Sequence, residues 1–169
     1  VAYGEIGEIC ITGPGVMLEY LDNKEETDGI MLVADNGERW VKTGDLGYMD
    51  EDGVIFYVQR LKRMLIVSGY NVYPSHLENT IEKCELVKQC GVIGVPHPYK
   101  VQVPIAYVVL SDKVTDTADA QIQIRKYCEE NLAKYMIPKK IIIKSEFPKT
   151  MVGKIDYKVL EREYKENNK

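Results

Sequence analysis

A short polar, basic stretch, Gln59-Arg60-Leu61-Lys62-Arg63, separates two parts of different texture, and it limits what this chain can fold into more than any other feature. Before it, turn residues recur every few positions: Gly13-Pro14-Gly15, then Asp35-Asn36-Gly37, then Asp50-Glu51-Asp52-Gly53. Such punctuation implies short strands joined by turns. The last of these lies between two apolar runs, 46–49 and 54–58, as a hairpin would with glycine where a positive φ is needed. Residues 1–59 are expected to form a small β-rich lobe.

Beyond the stretch, strands and helices alternate. Ser75-His76-Leu77-Glu78 directly after Pro74 has the form of a capping box, which predicts a helix to about residue 84. Two strand-like runs, 89–95 and 105–110, are broken by Pro96, Pro98 and Pro104, residues that suit strand ends better than interiors. The spacing of Ile122, Ile124, Tyr127, Cys128 and Leu132 predicts a helix over 119–132 with these residues near one face. A short strand at 141–143 and an irregular loop at 147–155 follow, and Asp156 is placed to cap a last helix reaching about residue 164. Residues 163–169 are biased enough in composition to fray. The fold class expected is α+β: residues 1–59 as a β-rich lobe, 60–63 as a hinge, and 64–169 as a compact α+β domain with a short sheet flanked by helices.

With 169 residues and 45% apolar content the chain can bury a core, so wholesale disorder is excluded. A net charge of -4 argues against general nucleic-acid binding, which needs a positive field. The charge is uneven, however: residues 134–169 hold ten Lys and Arg against five Asp and Glu, so that end either faces an anionic ligand or is simply solvated surface. No apolar run is long enough to span a membrane and no leader is evident. Cys10, Cys84, Cys90 and Cys128 stand singly, without metal-ligand spacing, and read as reduced, buried thiols of a cytoplasmic protein. No metal site is indicated. Val1 is not an initiating residue and runs straight into Gly4-Glu5-Ile6-Gly7-Glu8-Ile9, which suggests a fragment.

Unusual residues concentrate in three segments: Lys42-Thr43-Gly44-Asp45, the run from Gln59 to Asn71, and Pro148-Lys149-Thr150-Met151-Val152-Gly153-Lys154. Taken singly, each has an ordinary reading. Asp45 is a turn aspartate, or a carboxylate whose two acceptor oxygens face a vicinal diol. Arg60 is an exposed linker residue, or a planar fork of donors for phosphate or ribose oxygens. Gly69 is a turn or bulge glycine, or a place where a ligand passes close to the backbone. Lys154 is a surface lysine, or a cation delivered by a loop to a phosphate. The Gly153-Lys154 pair is not a P-loop, since the upstream glycine and the following Ser or Thr are absent. His76 and His97 are too far apart in sequence to suggest a nucleophile-base pair.

In order and spacing, these segments together resemble the C-terminal third of the acyl-adenylate-forming superfamily, which includes acyl-CoA synthetases, peptide-synthetase adenylation domains and luciferases. The resemblance runs through Gly7-Glu8-Ile9 to Pro14, Trp40 to Asp45, Arg60 to Glu78, Gly91 to Pro96, Val103 to Val109 and Pro148 to Asp156, nearly the whole chain. It implies that Asp45 holds the ribose hydroxyls of the adenylate, that Arg60 contacts the same nucleotide, that Lys62 is the hinge residue, that Gly69 lines the pantetheine channel and that Lys154 is the adenylation lysine. The sequence departs from the family pattern at Gln59, where glycine is usual, and at Lys62, where aspartate is common.

The activity implied is that of an AMP-forming acyl-CoA ligase: a carboxylic acid and ATP give acyl-adenylate and pyrophosphate, and the CoA thiol then displaces AMP. ATP, AMP and CoA would be substrates and products, with Mg2+ expected alongside ATP and its ligands outside this segment. The phosphate loop, adenine pocket and acyl pocket precede this segment in the family. A missing N-terminal domain is therefore the expected partner, and the fragment alone should not turn over. Two other readings stay open, an adenylation domain loading a carrier protein and a non-catalytic interaction module.

Overall fold

The structure, a computed structural model, describes residues 1–114 and 116–168. The last residue of the expected terminal segment, Lys169, lies outside them. The chain divides into two compact units, Val1–Lys62 and Arg63–Lys169.

The first unit is a four-stranded antiparallel sheet built on one long strand. β1 (Gly7–Ile11), a short helix α1 (Lys24–Ile30) and β2 (Met31–Val33) precede β3 (Arg39–Met49), and β4 (Ile55–Arg60) follows it. β1, β2 and β4 all pair with β3. The hairpin between β3 and β4 is closed as its residues require: Gly53 has φ 81, and Asp50 Oδ1 accepts from the amides of Asp52 and Val54 at 3.1 and 2.9 Å. Helix α1 was not foreseen among these strands. It has no apolar period to announce it, and is held by Asn23, whose side chain caps the Glu26 amide, and by the buried Thr27 hydroxyl, which accepts from the Tyr20 amide at 2.9 Å.

The second unit begins with a 3-10 turn (Leu61–Arg63, its first two residues in the first unit) and continues through β5 (Leu65–Val67), β6 (Tyr70–Val72), α2 (Pro74–Ile81), β7 (Val87–His97), β8 (Val101–Leu110), α3 (Thr117–Asn131), β9 (Lys140–Lys144) and α4 (Tyr157–Glu166). The strands form one mixed sheet in the order β6-β5-β8-β7, with β9 parallel to β8. Alternate residues of β8 feed two cores. Ala106 and Val108 join Leu77 and Ile81 of α2 and Ile124 and Cys128 of α3. Ile105 and Tyr107 join Phe147 and Leu160 of α4. Both faces of β8 are buried, which is why it reads as a continuous apolar run. Each fully buried Leu or Ile here contributes about 1.5–3 kcal/mol from apolar area removed from water.

Four expectations need correction. Helix α2 starts at Pro74 with Tyr73 as N-cap and no side-chain cap, so Ser75 and Glu78 do not form a capping box. Proline's fixed φ starts this helix and Glu78 turns inward. Pro104 lies inside β8, not at its end, whereas Pro96 is the last but one residue of β7. Pro104 turns its carbonyl to the Lys139 amide at 2.8 Å, so its missing N–H points the same way, between β5, paired at Val101, and β9, paired from Ile105. By the strand's alternation Pro96 presents its own missing N–H to the open edge of β7. Ile122 is 69% exposed and leaves the α3 core to Ile124 and Cys128. Cys10 is only half-buried, whereas the other three thiols are buried.

Candidate functional site

In the first unit the Thr43-Gly44-Asp45 segment is a β-bulge. Glu8 pairs with Leu46 and Cys10 with Lys42, so three residues of β3 stand opposite the single residue Ile9. The extra length is absorbed by Gly44 at φ 73, a conformation open to glycine and costly for most other residues. Hydrogen bonds then fix it: the Thr43 hydroxyl donates to the Ile9 carbonyl at 2.8 Å and accepts from the Asp45 amide at 3.0 Å, while Glu8 Oε1 accepts from the Gly44 amide at 3.1 Å.

The bulge aims Asp45 at its cross-strand neighbour Arg60. Arg60 Nε lies 2.8 Å from Asp45 Oδ1, and Arg60 Nη1 donates to the Thr43 carbonyl at 3.2 Å. The Nε–H is not aimed at the carboxylate, so the contact is a charge pair without a hydrogen bond. Asp45 Oδ1 is buried and has no hydrogen-bond donor. The adjacent guanidinium charge compensates this oxygen, and the carboxylate keeps capacity to accept further hydrogen bonds. Arg60 itself is largely exposed, with its guanidinium open to an anion.

In the second unit Gly69 occupies the tip of the β5–β6 hairpin. Ser68 and Gly69 both have positive φ, 52 and 86, as a two-residue type I′ turn demands. A Cβ on Gly69 would meet nothing within 4 Å, so the backbone here is open to approach.

Lys154 lies where an irregular loop was expected, and the chain there is a small closed turn. Lys149 bridges Ile155, the Thr150 amide donates to the Lys154 carbonyl at 2.8 Å, the Gly153 amide donates to the Thr150 carbonyl at 2.9 Å, and Asp156 returns its amide to the Pro148 carbonyl at 2.8 Å. The lysine backbone is pinned and its side chain is exposed. Lys62 is also exposed, in the 3-10 turn at the boundary of the two units. Asp45 and Arg60 thus come together, while Gly69 and Lys154 belong to the other unit. Individual inspection of residues passed over Glu8 and Thr43, whose roles depend on a strand pairing between distant segments.

Residues 76–154 match the family model of the AMP-binding enzyme C-terminal domain. A 2-succinylbenzoate–CoA ligase of Listeria monocytogenes is 39% identical over 92% of this chain and 31% of its own length. A long-chain-fatty-acid–CoA ligase of Salmonella typhimurium is 39% identical over 92% of this chain and 26% of its own. MatB from Rhodopseudomonas palustris with ATP bound superimposes with a TM-score of 0.87 at 33% identity, over all of this chain and 32% of MatB. In its apo form MatB gives 0.66 over the same share of each chain. Residues 76–154 of the second unit carry the AMP-binding enzyme C-terminal domain, and the chain as a whole is similar to the C-terminal part of these ligases. It spans between a quarter and a third of the length of the curated relatives it matches.

Proposed function

We propose that this chain is the C-terminal part of an AMP-forming acyl-CoA ligase, with Asp45 and Arg60 holding the adenylate, Lys154 acting in adenylation and Gly69 giving passage to the pantetheine arm of CoA. The observation that carries this is the Asp45 bulge. A carboxylate with capacity to accept further hydrogen bonds beside an exposed guanidinium suits a ligand that offers two hydroxyl donors near a phosphate, as the ribose of AMP does.

In the first half-reaction a carboxylate oxygen attacks the α-phosphate of ATP and pyrophosphate leaves. Both reactants are negative, so a lysine cation reaching the two lowers the charge that builds in the transition state. The pinned turn suits this task, because only the Lys154 side chain must be ordered. In the second half-reaction the CoA thiol attacks the acyl carbonyl and AMP leaves. The two steps would use different faces of the second unit, exchanged by rotation at residues 60–63 about Lys62. The two MatB states, which fit this one chain so differently, support a change of shape within this segment in that relative. Mg2+ would arrive with the nucleotide; among the described residues no cluster of acidic, His or Cys side chains is arranged to hold it. The remaining domain of the longer protein would supply the acyl pocket and phosphate loop. Unpaired thiols and these substrates fit a reducing, cytoplasmic setting.

In the full-length protein, Lys154→Ala should slow pyrophosphate release about a hundredfold, the typical effect of losing one preorganised charge partner. Thioester formation from supplied acyl-adenylate should survive. Gly69→Leu should do the reverse, after its own strain of about 1–2 kcal/mol at positive φ is checked by thermal melting. Full adenylation activity in Lys154→Ala would remove the lysine from this role.

A further inference from the structure

One buried polar cluster is not used by either half-reaction. Glu78, on the inner face of α2 and 8% exposed, accepts three hydrogen bonds on a single oxygen: Arg63 Nη2 at 2.5 Å, the Val92 amide at 2.8 Å and the Tyr157 hydroxyl at 3.1 Å. The guanidinium of Arg63 also lies 3.7 Å above the Tyr157 ring and donates to the Val92 carbonyl at 3.3 Å. Gly91 borders the ring: a Cβ there would make an ordinary contact with Tyr157 at 3.5 Å and a tight one with Phe147 at 3.3 Å. Burial and the Glu78 charge push the Tyr157 phenol above its ordinary value, and it remains a hydrogen-bond donor to Glu78 at neutral pH.

The positions of these residues in the chain give the cluster its meaning. Arg63 is the first residue of the second unit, immediately after Lys62. Tyr157 opens α4, immediately after Asp156, whose amide closes the turn that carries Lys154. We propose that Arg63, Glu78 and Tyr157 form a positioning clamp that fastens the first residue past the hinge to the base of the Lys154 turn, so that rotation at the hinge carries the lysine as part of one rigid body. This rests on the assignment of Lys154 above. Without the clamp, the turn would keep its own hydrogen bonds while its placement relative to Arg63 drifted, and an error of about 1 Å in such a placement can cost about a hundredfold in rate.

Removing Arg63 or Glu78 outright would strand a buried charge and threaten folding, so the test uses milder changes in the full-length protein. Tyr157→Leu removes the ring and hydroxyl. Tyr157→Phe keeps the ring beneath the guanidinium. Arg63→Lys keeps the charge but loses the planar stack. Adenylation and thioester formation are measured separately, with hydrogen exchange followed across residues 148–155. Tyr157→Leu is expected to lower kcat for adenylation at least tenfold with KM for ATP within twofold, to leave thioester formation within twofold, and to speed exchange in the turn. Arg63→Lys should act in the same direction more weakly, and Tyr157→Phe should recover most of the rate. Equal loss of both half-reactions in Tyr157→Leu and Arg63→Lys, or unchanged adenylation in both, overturns the clamp. Lys154→Ala separates the two ideas: if it abolishes adenylation while the clamp variants do not, only the clamp fails, and if it leaves adenylation intact the underlying assignment fails.

Discussion

Gly47 has no room for a side chain. A Cβ there would sit 2.6 Å from the Phe56 carbonyl oxygen and 2.8 Å from Ile9 Cδ1, and a backbone oxygen inside a sheet cannot step aside. Gly47→Ala is expected to cost about 1–3 kcal/mol through overpacking, read as a lower midpoint in urea. Cys128 makes a different prediction. Burial, with Cys84 next in weight, raises its thiol from 9.0 to about 11. The raised value means the folded state keeps its proton where the unfolded chain has lost it, so stability is fully present below pH 9 and falls between pH 9 and 11. The slope for this one group is about 1.4 kcal/mol per pH unit. Denaturation in reductant at pH 8 and 10.5 should show a smaller alkaline loss in Cys128→Ala than in the parent. At this scale the sequence was informative wherever a residue acts locally. Gly53 and Asp156 have the conformation and cap expected of them, because turn and cap chemistry spans only a few neighbours. Glu78 was misread for the opposite reason: Arg63, Val92 and Tyr157, its partners, are up to 79 residues away.

Elements depend on such local devices in proportion to how little else holds them. Helix α4 covers the second face of the sheet with Leu160, fully buried, whose carbonyl accepts from the Tyr107 hydroxyl at 3.3 Å. Its start is fixed by Asp156, whose Oδ1 accepts from the amides of Lys158 and Val159 at 3.1 and 3.2 Å. Asp156→Ala should therefore cost about 1 kcal/mol, and Asp156→Asn much less; thermal melting of the two variants tests this. The strands and longer helices were legible from periodicity and turn residues. Helix α1 was not, since a seven-residue helix held by an asparagine cap and a buried threonine has no apolar stripe. Pro104 of β8 misled for a related reason. Proline is excluded from a ladder only where its N–H would have had a partner, and which way that group points depends on the neighbouring strands.

Across the whole molecule the burial is lopsided. Both apolar clusters lie in the second unit, while in the first Leu46 is the single core hydrophobe among the described residues and Leu18, Leu21, Val33 and Tyr57 are 62–88% exposed. An isolated sheet with so little buried apolar area is marginal. In the 169-residue chain, amides of residues 1–62 are expected to exchange with solvent orders of magnitude faster than those of β7 and β8. In the longer protein proposed above, that contrast should shrink where a further domain covers these exposed apolar side chains. Hydrogen exchange on both forms measures it, and equal protection of the two units in the short chain would contradict the expectation.

The sequence alone determined the α+β class, the hairpin at Asp50–Gly53, the final helix and its cap, and, through ordered motifs, the kinship with adenylate-forming enzymes. These rest on period, turn chemistry and spacing, which a linear chain states directly. The tertiary structure alone decided that Thr43-Gly44-Asp45 is a bulge opposite Ile9, that Asp45 retains a buried oxygen without a donor, and that Glu78 joins Arg63 to Tyr157. Each of these is a contact between residues remote in sequence, and it exists only once strand pairing and helix packing have brought them within hydrogen-bonding reach.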